Sequence, residues 1–84
     1  MKTEVLMPFS ALARSVKVGS VYQHYKKISY KVLAIARHSE TLEEMVVYQA
    51  LYGENDVWIR PVTMFLEENI FEGKMQPRFS LCLD

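Results

Sequence analysis

Residues 30–38, Tyr-Lys-Val-Leu-Ala-Ile-Ala-Arg-His, constrain the fold more than any other stretch of the chain. Tyr30, Val32, Ala34, Ala36 and His38 alternate with Lys31, Leu33, Ile35 and Arg37, so an extended backbone puts one set on each face. Both faces are largely apolar, as suits a central strand covered on both sides, and the small Ala34 and Ala36 leave room where a sheet curls. Such a strand needs partners along both of its edges. With 84 residues in all, the chain can supply them for one core only.

The partners are legible on either side. Gly19 permits a sharp turn into Val21, Tyr22 and Tyr25, whose β-branched and aromatic side chains suit a half-buried pleat. Residues 45–52 alternate Met45, Val47, Gln49 and Leu51 against Val46, Tyr48, Ala50 and Tyr52. Gly53, Asn55 and Asp56 tolerate positive φ, so a hairpin turn is predicted into a short strand over residues 57–60, which Pro61 ends. Residues 63–68 read as one helical turn that offers Met64 and Phe65 to plug a barrel end, and a last strand is predicted over residues 78–83. Residues 1–16 form an N-terminal arm with a short helix starting near Pro8 or Ser10; the apolar Val5, Leu6, Met7, Phe9 and Leu12 favour docking, on its own barrel or on a second copy. The expected fold is therefore mainly β: a small SH3-like barrel or a strongly bent five-stranded antiparallel sheet over residues 17–84. The alternative is an α+β open sheet crossed by one helix.

Composition enters as a set of exclusions. Ten basic and ten acidic side chains cancel, which gives little drive toward a polyanion, so strong non-specific nucleic-acid binding is not expected. Lys26, Lys27 and Lys31 read as a solvated edge that discourages strand-to-strand aggregation. No apolar stretch approaches the ~20 residues of a membrane span, and the charged-then-apolar profile of a signal peptide is absent. Cys82 is the single cysteine, so no internal disulfide forms and a reducing, cytoplasmic setting is expected.

The residues also carry a resemblance. Gly19, Tyr22, His24-Tyr25-Lys26, Tyr30-Lys31-Val32, Ala36 through Thr41, Val46 through Tyr52, Trp58-Ile59-Arg60-Pro61 and Met64-Phe65 together resemble the small bacterial family known as domain of unknown function 1653. The resemblance spans residues 18–79 and implies no reaction, ligand or catalytic residue. It implies a glycine where this chain has Lys27 and another where it has Leu42, both in turns. If those turns need positive φ, each side chain costs about 1 kcal/mol or forces a different turn.

Polar and aromatic residues crowd the predicted strands. Arg37, His38, Tyr48, Trp58 and Arg60 are the candidate ligand-binding set, because guanidinium forks match phosphate or carboxylate oxygens and, with aromatic faces, stack flat rings. Against this stands a core-and-rim role for the aromatics, with Glu40, Glu43 or Glu44 pairing the arginines at the surface. His38-Ser39-Glu40 puts His38 and Glu40 on one face, a feasible proton-transfer pair, although a tight turn closed by Ser39 or Thr41 accounts for the same residues. No catalytic residue is assigned, and neither a metal site nor a cofactor is expected, since His24, His38 and Cys82 lack ligand spacing and the three glycines are isolated. The leading expectation is a non-enzymatic binding module for a flat or anionic ligand, a nucleotide or single-stranded nucleic acid. Next comes a protein-interaction or homodimerising barrel using the arm, residues 5–12, and a patch near Phe65. A small enzyme using His38 and Glu40 is third.

Overall fold

The alternation after residue 17 becomes a sheet in the computed structural model, which describes residues 7–82. Along the chain come α1 (Ala11–Arg14), β1 (Val21–His24), β2 (Ser29–Arg37), β3 (Glu44–Ala50), β4 (Val57–Pro61), α2 (Val62–Phe65), β5 (Glu68–Phe71), β6 (Lys74–Pro77) and β7 (Phe79–Leu81). Five strands form one antiparallel sheet in the order β4-β3-β2-β1-β7, and β5 and β6 pair separately as a hairpin. The fold is mainly β, as expected. The sheet stays open with β4 and β7 as its edges, so the five-stranded form holds and the closed barrel does not.

The strict alternation read into β2 also fails, for an identifiable reason. Val32 pairs with Tyr48 but Ala34 pairs with Val47, a shift in register that marks a β-bulge at Leu33. Beyond it the faces exchange. Ile35, opposite Val46, and Arg37, opposite Glu44, join Tyr30 and Val32 on the inner face, while Ala34 and Ala36 turn to the outer one.

The inner face is where the core sits. Tyr22, Val32, Val46, Tyr48 and Phe79 pack there under Ala13 and Val16 from the α1 segment and Val62 and Phe65 from α2. Phe65 stacks on Phe79 at 4.3 Å and meets the rings of Tyr22 and Tyr48 at 5.3 and 5.6 Å. Phe65 itself is fully buried, while Met64, its neighbour, faces solvent.

The described part of the arm docks on its own sheet; Val5 and Leu6 lie outside the described residues, as does Leu83 of the last expected strand. Ser10 caps α1 by accepting from Ala13 N at 3.1 Å. Glu44 of β3 in turn accepts from Ser10 N at 2.6 Å and from Ser10 Oγ at 2.7 Å, which holds its carboxyl below the usual carboxylate range. Arg37 completes the clamp, with its guanidinium 4.2 Å from the Phe9 ring centroid and an Nη2–H bonded to Met7 O.

Lys27 and Leu42 both adopt positive φ, 71° and 64°. The turns keep the backbone a glycine would take, and the side chains bear the strain. The β5–β6 hairpin, by contrast, was not expected from sequence. Its two-residue turn has φ of 53° at Glu72 and 78° at Gly73, the mirror-image geometry that matches strand twist.

Candidate functional site

The sheet register decides which side chains meet. Tyr48 of β3 lies directly opposite Trp58 of β4, and Val46 opposite Arg60, so Tyr48, Trp58 and Arg60 share the inner face at its β4 end. Tyr30 of β2 lies opposite Ala50 on that face, and its ring meets Tyr48 edge-on at 5.3 Å and Tyr52 at 5.8 Å. These five residues line a cup of about 210 Å³. The helices leave this end uncovered: Trp58 and Tyr52 are 50% and 49% exposed, whereas Tyr48 is 5% exposed.

The cup is polar at defined points. Arg60 Nε donates to Tyr48 Oη at 3.2 Å, and the hydroxyls of Tyr30 and Tyr52 bond each other at 3.3 Å. Burial, followed by that bond to Tyr52, pushes the Tyr30 hydroxyl up to about 12, so it stays neutral at physiological pH. Arg60 is then the one charged side chain of the lining. Its guanidinium carbon sits 6.0 Å from the Phe79 centroid, and among the described residues its terminal nitrogens have no hydrogen-bond partner.

Of the five residues singled out in the sequence, the structure gathers Tyr48, Trp58 and Arg60 and places Arg37 and His38 elsewhere. Arg37 holds the arm, as described. His38 is exposed at the start of the β2–β3 connection, where its Nδ1 accepts from Glu40 N at 3.0 Å and from Thr41 N at 3.3 Å. Thr41 Oγ1 accepts from Glu43 N at 3.2 Å, which completes a tight turn. The His38 ring therefore spends its Nδ1 on the backbone rather than on the Glu40 carboxylate. Tyr30 and Tyr52 are the additions, Tyr30 brought in by the register and Tyr52 by its hydroxyl bond to Tyr30.

Elsewhere, His24 lies under Phe79 at 5.1 Å, and burial, then Arg78, Lys26 and Arg60, pull its pKa below the usual 6.5. Glu67 bonds Arg78 Nη2 at 2.7 Å, tying the hairpin base to β7 and lowering the Glu67 pKa. Among the described residues no group of three or more His, Cys, Asp or Glu side chains is placed to hold a metal ion. No helix among them is long and apolar enough to cross a membrane.

Comparison with known proteins supplies the context for this surface. The model of a family described as "Protein of unknown function (DUF1653)" matches residues 20–81, from just before β1 through β7. A crystal structure of a DUF1653 protein from Bordetella bronchiseptica is similar, with a TM-score of 0.73 at 34% identity, covering 81% of this chain and 88% of that one. No curated protein matches the chain.

Proposed function

Because the chain belongs to the DUF1653 family of proteins of unknown function, we propose its role from its own surface: a non-enzymatic binding module that takes a single flat ring with an anionic group attached. Trp58 and Tyr52 supply exposed aromatic faces at the mouth of the cup, and Arg60 supplies the charge. The observation that carries the reading is the Arg60 Nε bond to Tyr48 Oη, which aims a guanidinium into an aromatic cup instead of pairing it with a carboxylate. A planar cation held in that way is pre-organised for phosphate or carboxylate oxygens.

Size narrows the class. A cup of about 210 Å³ is below the ~300–1,000 Å³ of sites that enclose a whole small molecule. A nucleobase fits such a space while its sugar and phosphate stay at the rim, so the favoured occupant is one nucleotide, free or within a single strand. Stacking on an aromatic side chain contributes ~1–3 kcal/mol per base and tolerates any base. With Arg60 as the single cation, the affinity should fall only gently with salt, with a log–log slope near about −0.7 for one neutralised phosphate.

Trp58 is the chain's only tryptophan, so its fluorescence reports on the cup directly. Titration with nucleoside monophosphates and short single-stranded oligonucleotides is expected to quench it. Arg60→Ala is expected to weaken binding by about 10- to 150-fold, the equivalent of a charge-assisted hydrogen bond of ~1.5–3 kcal/mol. Amide-resolved NMR should place the perturbed signals at Tyr48, Trp58 and Arg60. No quenching across the panel, or an affinity indifferent to Arg60→Ala, overturns the reading.

A further inference from the structure

The edge strand β4 is apolar yet open to solvent: Val57, Trp58 and Ile59 are 55%, 50% and 58% exposed. Its free backbone groups follow from the ladder with β3. Ala50 N donates to Asp56 O at 2.9 Å, so that pair is a hydrogen-bonded one, and alternation makes Tyr48 with Trp58 and Val46 with Arg60 bonded pairs as well. Val57 and Ile59 therefore turn their backbone groups outward, away from the sheet. Pro61, which has no N–H to leave unpaired, occupies an outward position, where a strand tolerates proline.

We propose that β4 pairs antiparallel with β4 of a second copy of this chain, about a two-fold axis through Ile59, so that each copy's Arg60 faces the other copy's Trp58. In that register each Ile59 N–H meets the other Ile59 carbonyl. Val57 lies beside the other copy's Pro61, which has no N–H to offer the Val57 carbonyl and caps α2, so the Ile59 pair supplies the backbone bonds. Trp58 and the second copy's Arg60 form a non-hydrogen-bonded pair, the kind in which side chains approach most closely, and a guanidinium over an indole is attractive. On the opposite face Val57 meets Pro61 and Ile59 meets Ile59, all apolar.

The strand is thus complementary to itself at the Ile59 backbone groups, the two Arg60–Trp58 pairs and the apolar face, as an isologous interface requires. The edge carries one charge, Arg60, which this register places over the second copy's Trp58, and one proline, Pro61, at its end. The result is one continuous sheet with the two aromatic cups side by side at the seam. Trp58 and Arg60 also line the cups, so a ligand seated there is expected to weaken the pairing, while Ile59, which lies outside the cup, tests the pairing by itself.

One strand pair buries less than a standard protein interface, so dimerisation is expected to be concentration-dependent, in the range of about micromolar to millimolar. Sedimentation velocity across that range should show a monomer–dimer shift that Ile59→Lys abolishes. Trp58→Ala and Arg60→Ala should each weaken it about 5- to 30-fold, as loss of two symmetric cation–π contacts implies. A covalent trap guards against a variant that misfolds. In a Cys82→Ser background, Ile59→Cys places its two thiols on the axis, where a bonded antiparallel pair has Cα atoms about 5.5 Å apart, inside the disulfide range. Under a mild oxidant it should cross-link far faster than Met75→Cys, which is equally exposed but lies on the hairpin. A monomer at all concentrations, a dimer unaffected by Ile59→Lys, or equal cross-linking of the two cysteine variants each overturns the proposal.

Discussion

Strands β3 and β4 are neighbours in one sheet and similarly apolar, yet they meet opposite fates. Val46, Tyr48 and Ala50 of β3 are essentially buried, whereas Val57, Trp58 and Ile59 of β4 stand half open to water. The composition of the two strands does not explain this; position does. β3 has strands on both sides and Phe65 above it, while β4 has one neighbour and its cup end lies beyond the helices. A strand's hydrophobicity therefore says that it will be covered by something, and the fold says whether that cover comes from within the chain.

The largest test of the contrast compares deletions above the two strands. Phe65→Ala should destabilise the domain by about 3–5 kcal/mol, the usual result of emptying a buried aromatic site. Ile59→Ala at the same dilute concentration should stay within ~0.5 kcal/mol. Urea denaturation of both variants checks this, and an Ile59→Ala cost above ~1 kcal/mol breaks the contrast by showing that β4 is covered even in the dilute monomer.

Tyr48→Phe sharpens the comparison next, because it removes the acceptor for Arg60 and nothing else that joins β3 to β4. A loss of about 0.5–1.5 kcal/mol is expected, together with a shift in the Arg60 Nε–H NMR signal. The two turns that flank β3 make a smaller test. The β3–β4 turn has Gly53 and Asn55 at its positive-φ positions, whereas the β2–β3 turn has Leu42 at φ 64°. Leu42→Gly should therefore stabilise by about 0.5–1 kcal/mol, the relief of a left-handed side chain less the entropy glycine loses on folding. Lys27→Gly should do the same in the β1–β2 turn, and thermal melts read both.

The mildest effect is one of pH. Tyr30 has its pKa raised from 10.0 to about 12, so the fold holds this proton more tightly than the unfolded chain does. That contribution is fully present below pH 10 and is lost as pH rises through about 12. Tyr52→Phe should draw the Tyr30 ionisation back toward its ordinary value, which tyrosinate absorbance would follow.

Much of this could be read from the residues. The five strands of the main sheet and the turn at Gly53 and Asn55 follow from local pattern, as does a helical turn around Phe65, expected over residues 63–68 and found at Val62–Phe65, whereas the strain at Lys27 and Leu42 was implied by the family resemblance alone. The bulge in β2 could not be read, because Leu33, Ala34, Ile35 and Ala36 are apolar in either register and alternation cannot tell one from the other. Arg37 was misplaced with it: the bulge carries this side chain to the inner face, where it turns over Phe9 and holds the arm instead of lining the cup with Arg60. The β5–β6 hairpin was hidden by its turn, since Glu-Gly is a weaker signal than Asn-Gly or Asp-Gly. For the candidate site, Tyr48, Trp58 and Arg60 were legible as residue types, but the cup they form with Tyr30 and Tyr52 depends on pairing across three strands.

One pairing in the sheet also sets an order of events. Every other strand pair joins neighbours along the chain, but β1 with β7 joins Tyr22 to Leu81, near the two ends of the described residues. Short loops close early and cheaply, whereas this closure waits for everything between to be in place. Phe79, which stacks on Phe65, belongs to β7, so the aromatic core is expected to be completed in the last step. Folding should then be limited by assembly of β2, β3 and β4, and Leu81→Ala should quicken unfolding while leaving the folding rate nearly unchanged.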